Sequence, residues 1–296
     1  MRRWIGLFAL ILGAAALAAW RLSAPRTIDA DTAAAVSAPG DAAAGKIVFY
    51  AGGCDSCHAS PGQPDPLRLA GGLALKTPFG SFYPPNISPD AKDGIGAWSA
   101  VDFANALLEG VSPSGTHLYP AFPYTSYRRM TSKDVRDLFA YMKTLPPVAG
   151  RPPPTSLAFP FDLRRGVGLW KLWYLGPVGN LDSAGKTESW RLGRYLVQGP
   201  GHCAECHSPR DILGGIIATK RLTGGPMPDG KGKAPSLMAS ALADWSKADI
   251  AEALSSGFTP GGDSLGGAMA GVVRNTAQLP TSYREAIAEY LKSGAQ

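Results

Sequence analysis

Cysteine and histidine are scarce in this chain of 296 residues, with four of each. Four thiols in so long a chain are too few for a disulfide scaffold. Charge is sparse as well: Asp, Glu, Lys and Arg make up 18%, and no run of five Lys or Arg occurs despite a formal charge of +6. A nucleic-acid footprint, which needs clustered cations, is thereby excluded. The sequence has no Gly-x-Gly-x-x-Gly fingerprint, no Walker-type phosphate loop and no Gly-x-Ser-x-Gly elbow. Nothing marks a dinucleotide, nucleotide or serine-hydrolase site. Sustained strand alternation is also missing. The chain is instead rich in Gly (36) and Pro (26) within a globular composition, 45% hydrophobic. This predicts about two domains of short helices joined by long loops.

Arg2 and Arg3 precede an uncharged run of 17 residues from Trp4 to Trp20, closed by Arg21. The run exceeds the apolar region of most export signals and is at the short limit of a membrane span. Ala16-Leu17-Ala18 offers a small-residue cleavage site, whereas Trp4 and Trp20 suit the two faces of a bilayer. Residues 1–22 are therefore a signal peptide or a membrane anchor. Either reading carries the rest of the chain out of the cytoplasm. Residues 23–44, rich in Ala, Ser, Pro and Asp, read as a tether.

The remainder contains one pattern twice. Gly45-Lys46-Ile47-Val48 leads into Cys54-Asp55-Ser56-Cys57-His58, and Gly193-Arg194-Tyr195-Leu196 leads into Cys203-Ala204-Glu205-Cys206-His207. WSAVDFANALLEG (98–110) matches WSKADIAEALSSG (245–257), and Tyr141-Met142-Lys143 matches Tyr290-Leu291-Lys292. A repeat of this length means two copies of one domain. Ser99 with Asp102, and Ser246 with Asp249, predict capped helix starts. A last helix is expected from Thr131 or Ser132 in the first copy and near Ser282 in the second. Between the copies, residues 146–185 are rich in Pro, Gly and aromatics, and Leu169 to Tyr174 is unusually apolar. That stretch is expected to pack between the domains or to dock a partner or membrane.

All four cysteines fall in Cys-x-x-Cys pairs followed at once by His. This is the attachment signal of c-type haem. Thiols three residues apart share one face of a helical turn, and the adjacent imidazole is placed to bind iron. Cys54, Cys57, Cys203 and Cys206 are thus the expected attachment points of two haems, with His58 and His207 as proximal iron ligands. One zinc site shared by all four thiols would need much closer pairs, and a thioredoxin-like pair would need a βαβ setting. Each proximal imidazole needs an acceptor for its other nitrogen, and Pro85 and Pro235, aligned in the repeat, are candidates.

Methionine is the common distal ligand. Met269 stands in Gly266-Gly267-Ala268-Met269-Ala270-Gly271, and Gly crowding fits close approach to a haem, with Met227 and Met238 as rivals. In the first copy the equivalent position is Phe122, which cannot bind iron. The first distal position is then open, or is filled by His117 or Met130.

With these residues placed, the chain resembles the cytochrome c subunits of membrane-associated bacterial alcohol, sorbitol, gluconate and aldehyde dehydrogenases. The resemblance is carried by LAGGLALKTPFGSFYPPNISPD (69–90), GIGAWSAVDFANALLEGVSPSGTHLYPAFPY (94–124) and RLGRYLVQGPGHCAECHSPR (191–210). In that family the run at 119–124 reads Tyr-Pro-Ala-Met-Pro-Tyr, so it departs from this chain at Phe122. The resemblance implies an all-α fold: two tandem cytochrome c-type (class I-like) haem domains, at 45–145 and 186–296, after an N-terminal hydrophobic helix. It also implies a diheme electron carrier on the periplasmic side of the bacterial inner membrane, anchored or exported. Electrons would come from a dehydrogenase subunit and go to a quinone or an oxidase chain, with no catalytic residues and no nucleic-acid partner. The rival expectation is a haem enzyme, peroxidase-like or acting on sulfur compounds, with an open sixth position on the first haem.

Overall fold

The computed structural model describes residues 2–177, 184–227 and 230–294. The segment 178–183 of the expected inter-domain linker lies outside the described residues. The fold is mostly helical, with about 45% of residues in helices. Five strands occur among the described residues, none longer than three residues.

The first half contains α1 (Arg2–Leu22), α2 (Ala30–Ser37), α3 (Ala42–Gly52), α4 (Cys54–His58), α5 (Ala100–Ala104), α6 (Tyr124–Tyr127) and α7 (Ser132–Met142). Strands β1 (Leu75–Thr77) and β2 (Gly80–Phe82) lie between α4 and α5. They pair antiparallel, and β2 also pairs with β3 (Ser156–Leu157) beyond α7. Helix α8 (Arg164–Tyr174) connects the halves. The second half holds α9 (Glu188–Gln198), a 3-10 turn at Cys203–Glu205, the pair β4 (Gly225–Pro226) and β5 (Lys233–Ala234), α10 (Lys247–Ser256), α11 (Ala268–Thr276) and α12 (Thr281–Lys292).

Helix starts follow local chemistry. Ser99 and Asp102 form a reciprocal capping box ahead of α5, and Ser246 and Asp249 do the same for α10. Each satisfies two backbone donors that a helix N-terminus would otherwise leave unpaired. Thr131 caps α7, and Pro280 precedes α12, within one residue of the expected starts.

Both halves are built around the crossing of their first and last long helices. Gly45 of α3 lies on α7: a Cβ there would meet the Asp137 carbonyl oxygen at 1.9 Å. Gly193 of α9 lies on α12, where a Cβ would meet the Ala286 oxygen at the same 1.9 Å. Only a residue without a side chain lets these backbones approach so closely. Two separate cores follow. Phe49, Leu108, Val135 and Met142 fill the first, and Leu196, Val197, Tyr290 and Leu291 the second.

Of the two connecting segments, the first departs from the sequence expectation and the second follows it. Residues 23–44 are not a loose tether. Asp29 caps α2, Val36 is buried in the first core, and Asn105 accepts from the Ile28 amide at 2.9 Å. One Val and an Ala-rich face are enough to seat a two-turn helix, but they give little periodic signal. Helix α8 does pack between the halves. Trp170 donates to the Leu213 carbonyl at 3.0 Å, and Tyr174 to Asp211 at 2.6 Å. Trp173 remains 74% exposed.

Helix α1 is apolar and about 31 Å long at 1.5 Å per residue, and no part of it is buried against the chain. Its end is nevertheless held. The Arg165 guanidinium stacks 4.1 Å over the Trp20 ring and donates to the Trp20 carbonyl and the Ser23 hydroxyl. His117 donates from Nε2 to the Ser23 carbonyl at 2.8 Å and accepts at Nδ1 from Lys171 at 3.1 Å. Lys171 also donates to the carbonyls of Glu109 and Gly110. The Lys171 ammonium is brought down to about 8, first by burial and then by nearby Arg128, with Glu109 opposing.

Two outcomes are expected. Gly45→Ala or Gly193→Ala forces the helix crossing apart and costs about 1–3 kcal/mol. It would appear as a lower denaturant midpoint of the haem-loaded protein at unchanged slope. For Lys171, the unfolded chain holds a proton between pH about 8 and 10.5 that the folded chain has released. Stability therefore rises across that window, by at most about 3 kcal/mol. Denaturant titrations from pH 7 to 10.5 should show Lys171→Met losing this rise relative to the parent chain.

Candidate functional site

The two Cys-x-x-Cys-His segments sit alike in the two halves, each directly after the crossing helix. The first is a helical turn, α4, entered through Gly53 in the left-handed region at φ +56°. The second is a tighter 3-10 turn, entered through His202 at φ +38°. All four thiols are free. Among the described residues, no three His, Cys, Asp or Glu side chains gather to hold a metal ion. Burial pushes the Cys54 thiol up to about 12 and Cys203 to about 11. Thiols held protonated are poor redox nucleophiles, which argues against a thioredoxin-like pair.

The imidazoles are oriented as the repeat predicted. His58 donates from Nδ1 to the Pro85 carbonyl at 2.8 Å, and His207 to the Pro235 carbonyl at 2.7 Å. Burial holds both rings below the ordinary imidazole range. Each neutral ring thus carries its hydrogen on Nδ1 and presents a lone pair at Nε2, the form that binds metals. Glycines place the proline loops. The amides of Gly71 and Gly224 donate to the carbonyls of His58 and His207, each at 2.8 Å. A Cβ on Gly71 would meet the Pro84 and Pro85 oxygens at 2.1 and 2.6 Å. These glycines belong to the matched runs Arg68-Leu69-Ala70-Gly71-Gly72 and Arg221-Leu222-Thr223-Gly224-Gly225. Their spacing from the cysteines differs between the halves, which hid them from a fixed-offset reading.

Beside Cys54 and His58 opens an apolar pocket of about 50 Å³, lined among others by Val48, Phe103, Leu107, Tyr127 and Met130. Met130 is buried. The other residue expected as a candidate for the first distal position, His117, is engaged elsewhere. Both ring nitrogens of His117 are taken, by Ser23 and Lys171. Phe122 packs its ring 5.4 Å from that of Tyr127 on the first core. In the second half Met269 stands partly buried in the first turn of α11, while Met238 packs on the second core and partly buried Met227 precedes a segment outside the described residues.

The residues fit haem c on these observations: paired thiols, a proximal ring with its free nitrogen defined, and an apolar pocket beginning at the thiol and imidazole. Charge is distributed unequally around the two segments. Near the second, Arg129 and Arg221 lie within electrostatic reach of Glu205, and burial first and Arg221 next bring the Arg129 guanidinium down to about 10. Burial works to raise Glu205, but Arg210 and the Thr125 hydroxyl overcome it, so its carboxyl lies below its ordinary range.

Comparison with known proteins agrees with this geometry. The family model "Cytochrome c" matches residues 42–146. The chain is 49% identical over 286 residues to a protein of Cereibacter sphaeroides named "Diheme cytochrome c-type", covering 96% of this chain and 95% of that one. It is 34% identical to the "Fructose dehydrogenase cytochrome subunit" of Gluconobacter japonicus and 34% to the "Alcohol dehydrogenase (quinone), cytochrome c subunit" of Gluconobacter oxydans. Those two matches cover 84% of this chain and 51% and 54% of the subunits, so the chain spans about half of their length. The chain belongs to the diheme cytochrome c family and is an electron-transfer cytochrome that carries two covalently bound haem c groups.

Proposed function

We propose that the chain relays electrons from a substrate-oxidising dehydrogenase to the respiratory chain, on the periplasmic side of a bacterial inner membrane. The acceptor is a quinone or an oxidase chain. The observation that carries this reading is the repeated arrangement of a Cys-x-x-Cys-His turn with its imidazole fixed on a proline carbonyl. The names of the fructose and alcohol dehydrogenase cytochrome subunits support a dehydrogenase as donor.

The haem domains are 45–145 and 186–296, joined by the linker at 146–185. Cys54 and Cys57 hold one haem and Cys203 and Cys206 the other, with His58 and His207 as proximal ligands. Bound haem supplies a one-electron couple whose potential follows its axial ligands and surroundings. The chain's part is to fix those ligands and keep water out. Met130 is the distal ligand of the first haem: it is buried, it lines the same pocket as His58, and its rival His117 is committed elsewhere. A filled sixth position favours the relay over a haem enzyme with an open iron. Met269 is the distal ligand of the second. Helix α1 serves as a retained membrane anchor, supported by its length, its apolar surface and the clamp on Trp20 and Ser23.

The test is spectroscopic. The purified protein should hold two low-spin haems that ignore carbon monoxide. Met130→Ala should convert one of them to a high-spin form that binds carbon monoxide, and Met269→Ala the other. Two carbon-monoxide-binding haems in the parent protein would refute both distal assignments. Removing residues 1–22 should move the haem protein from the membrane to the soluble fraction.

A further inference from the structure

Each haem-attachment segment reaches the other half of the chain through the residues between its cysteines. Asp55, in the first segment, is buried and accepts from Arg274 of α11 at 3.1 Å. Its neighbour Ser56 accepts from Asn275 at 3.1 Å. The second segment reciprocates. One oxygen of Glu205 accepts from Thr125 at 2.9 Å and Ser126 at 3.0 Å, both in α6 of the first half, and the other accepts from Arg210 at 2.6 Å. The His202 ring lies 5.6 Å from that of Tyr127. Tyr195 of α9 donates to Asp134 of α7. The second thiols, Cys57 and Cys206, are within electrostatic reach of each other.

The attachment chemistry needs two thiols and an imidazole and sets no demand on the two residues between the thiols. A carboxylate removed from water is tolerated only with a partner. For Asp55 the partner lies in the other half, and for Glu205 two of three do. The halves cannot part without stripping both carboxylates of these bonds.

We infer that Asp55 and Glu205 are positioning residues that lock the two attachment segments face to face, so that an electron reaching one haem site passes to the other within the chain. This rests on the haem assignments proposed above. The step is a single electron: one iron goes from ferrous to ferric, the other from ferric to ferrous, and no proton or bond changes. Tunnelling weakens steeply with separation, so the rate reports how tightly the segments are held together.

The experiment is NMR of the half-reduced, two-haem protein, following exchange between oxidised and reduced haem-methyl signals at several protein concentrations. Exchange independent of concentration is intramolecular. Asp55→Asn combined with Glu205→Gln should slow that component at least tenfold, while haem content and the optical spectrum of each site stay unchanged. Arg274→Gln and Thr125→Ala with Ser126→Ala, which leave both attachment segments intact, should slow it in the same direction if the double variant does not fold. Asp55→Glu should recover part of the rate. Absence of a concentration-independent component in the parent protein overturns the inference. So does an unchanged rate in a variant whose scattering profile shows the halves loosened. Haem content other than two per chain would instead refute the underlying assignment, and it is read separately.

Discussion

The bond between a proximal imidazole and a proline carbonyl is the constraint on which the rest of each half depends. It selects one tautomer, turns Nε2 toward the pocket, and requires a polar backbone oxygen to be delivered into apolar surroundings. The elements around it serve that delivery. Gly71 and Gly224 let the proline loops close over the histidine. The helix crossings at Gly45 and Gly193 then bring the thiol turns to a common place in each half. Small cores suffice because the attached group is expected to complete them. The pocket beside Cys54 is lined by residues of the first core, among them Val48, Leu138 and Met142.

Much of this was readable in the sequence because each signal has a local physical cause. The capping residues Ser99, Thr131 and Ser246 satisfy backbone donors within three positions, and the Cys-x-x-Cys-His spacing is set by one helical turn. The proline acceptors were visible through the repeat. What was hidden depended on distant partners. Neither Lys171 nor His117 carries a mark of their shared bond, 54 positions apart. Asp55 and Glu205 carry no local signal either, because the partner of the first and two of the three partners of the second lie in the other copy. Helix α2 was missed because its small residues give a weak apolar stripe.

The two copies have diverged in different directions around one plan. The first uses a helical turn at its thiols and places Met130 in its pocket, eight positions past the residue that the repeat aligns with Met269. The second uses a 3-10 turn and gathers arginines near its carboxylate, with Arg129 contributed by the first half. Arg68, the first-copy match of Arg221, is exposed. The electrostatic surroundings of the second segment are thus partly built by the first half, which makes the pair one device instead of two beads on a string.

The clamp of Arg165, His117 and Lys171 on the end of α1 limits how the molecule can search its surroundings. A carrier on a slack leash sweeps a volume set by the length of that leash. Here Ser23, one residue beyond α1, is already bonded to the first half, and the segment that follows is folded against the same core. The haem-bearing body moves with α1 as one piece. For the membrane-held carrier proposed above, encounters are then governed by lateral diffusion and by the single face it turns outward, so a partner must arrive at a fixed height and orientation.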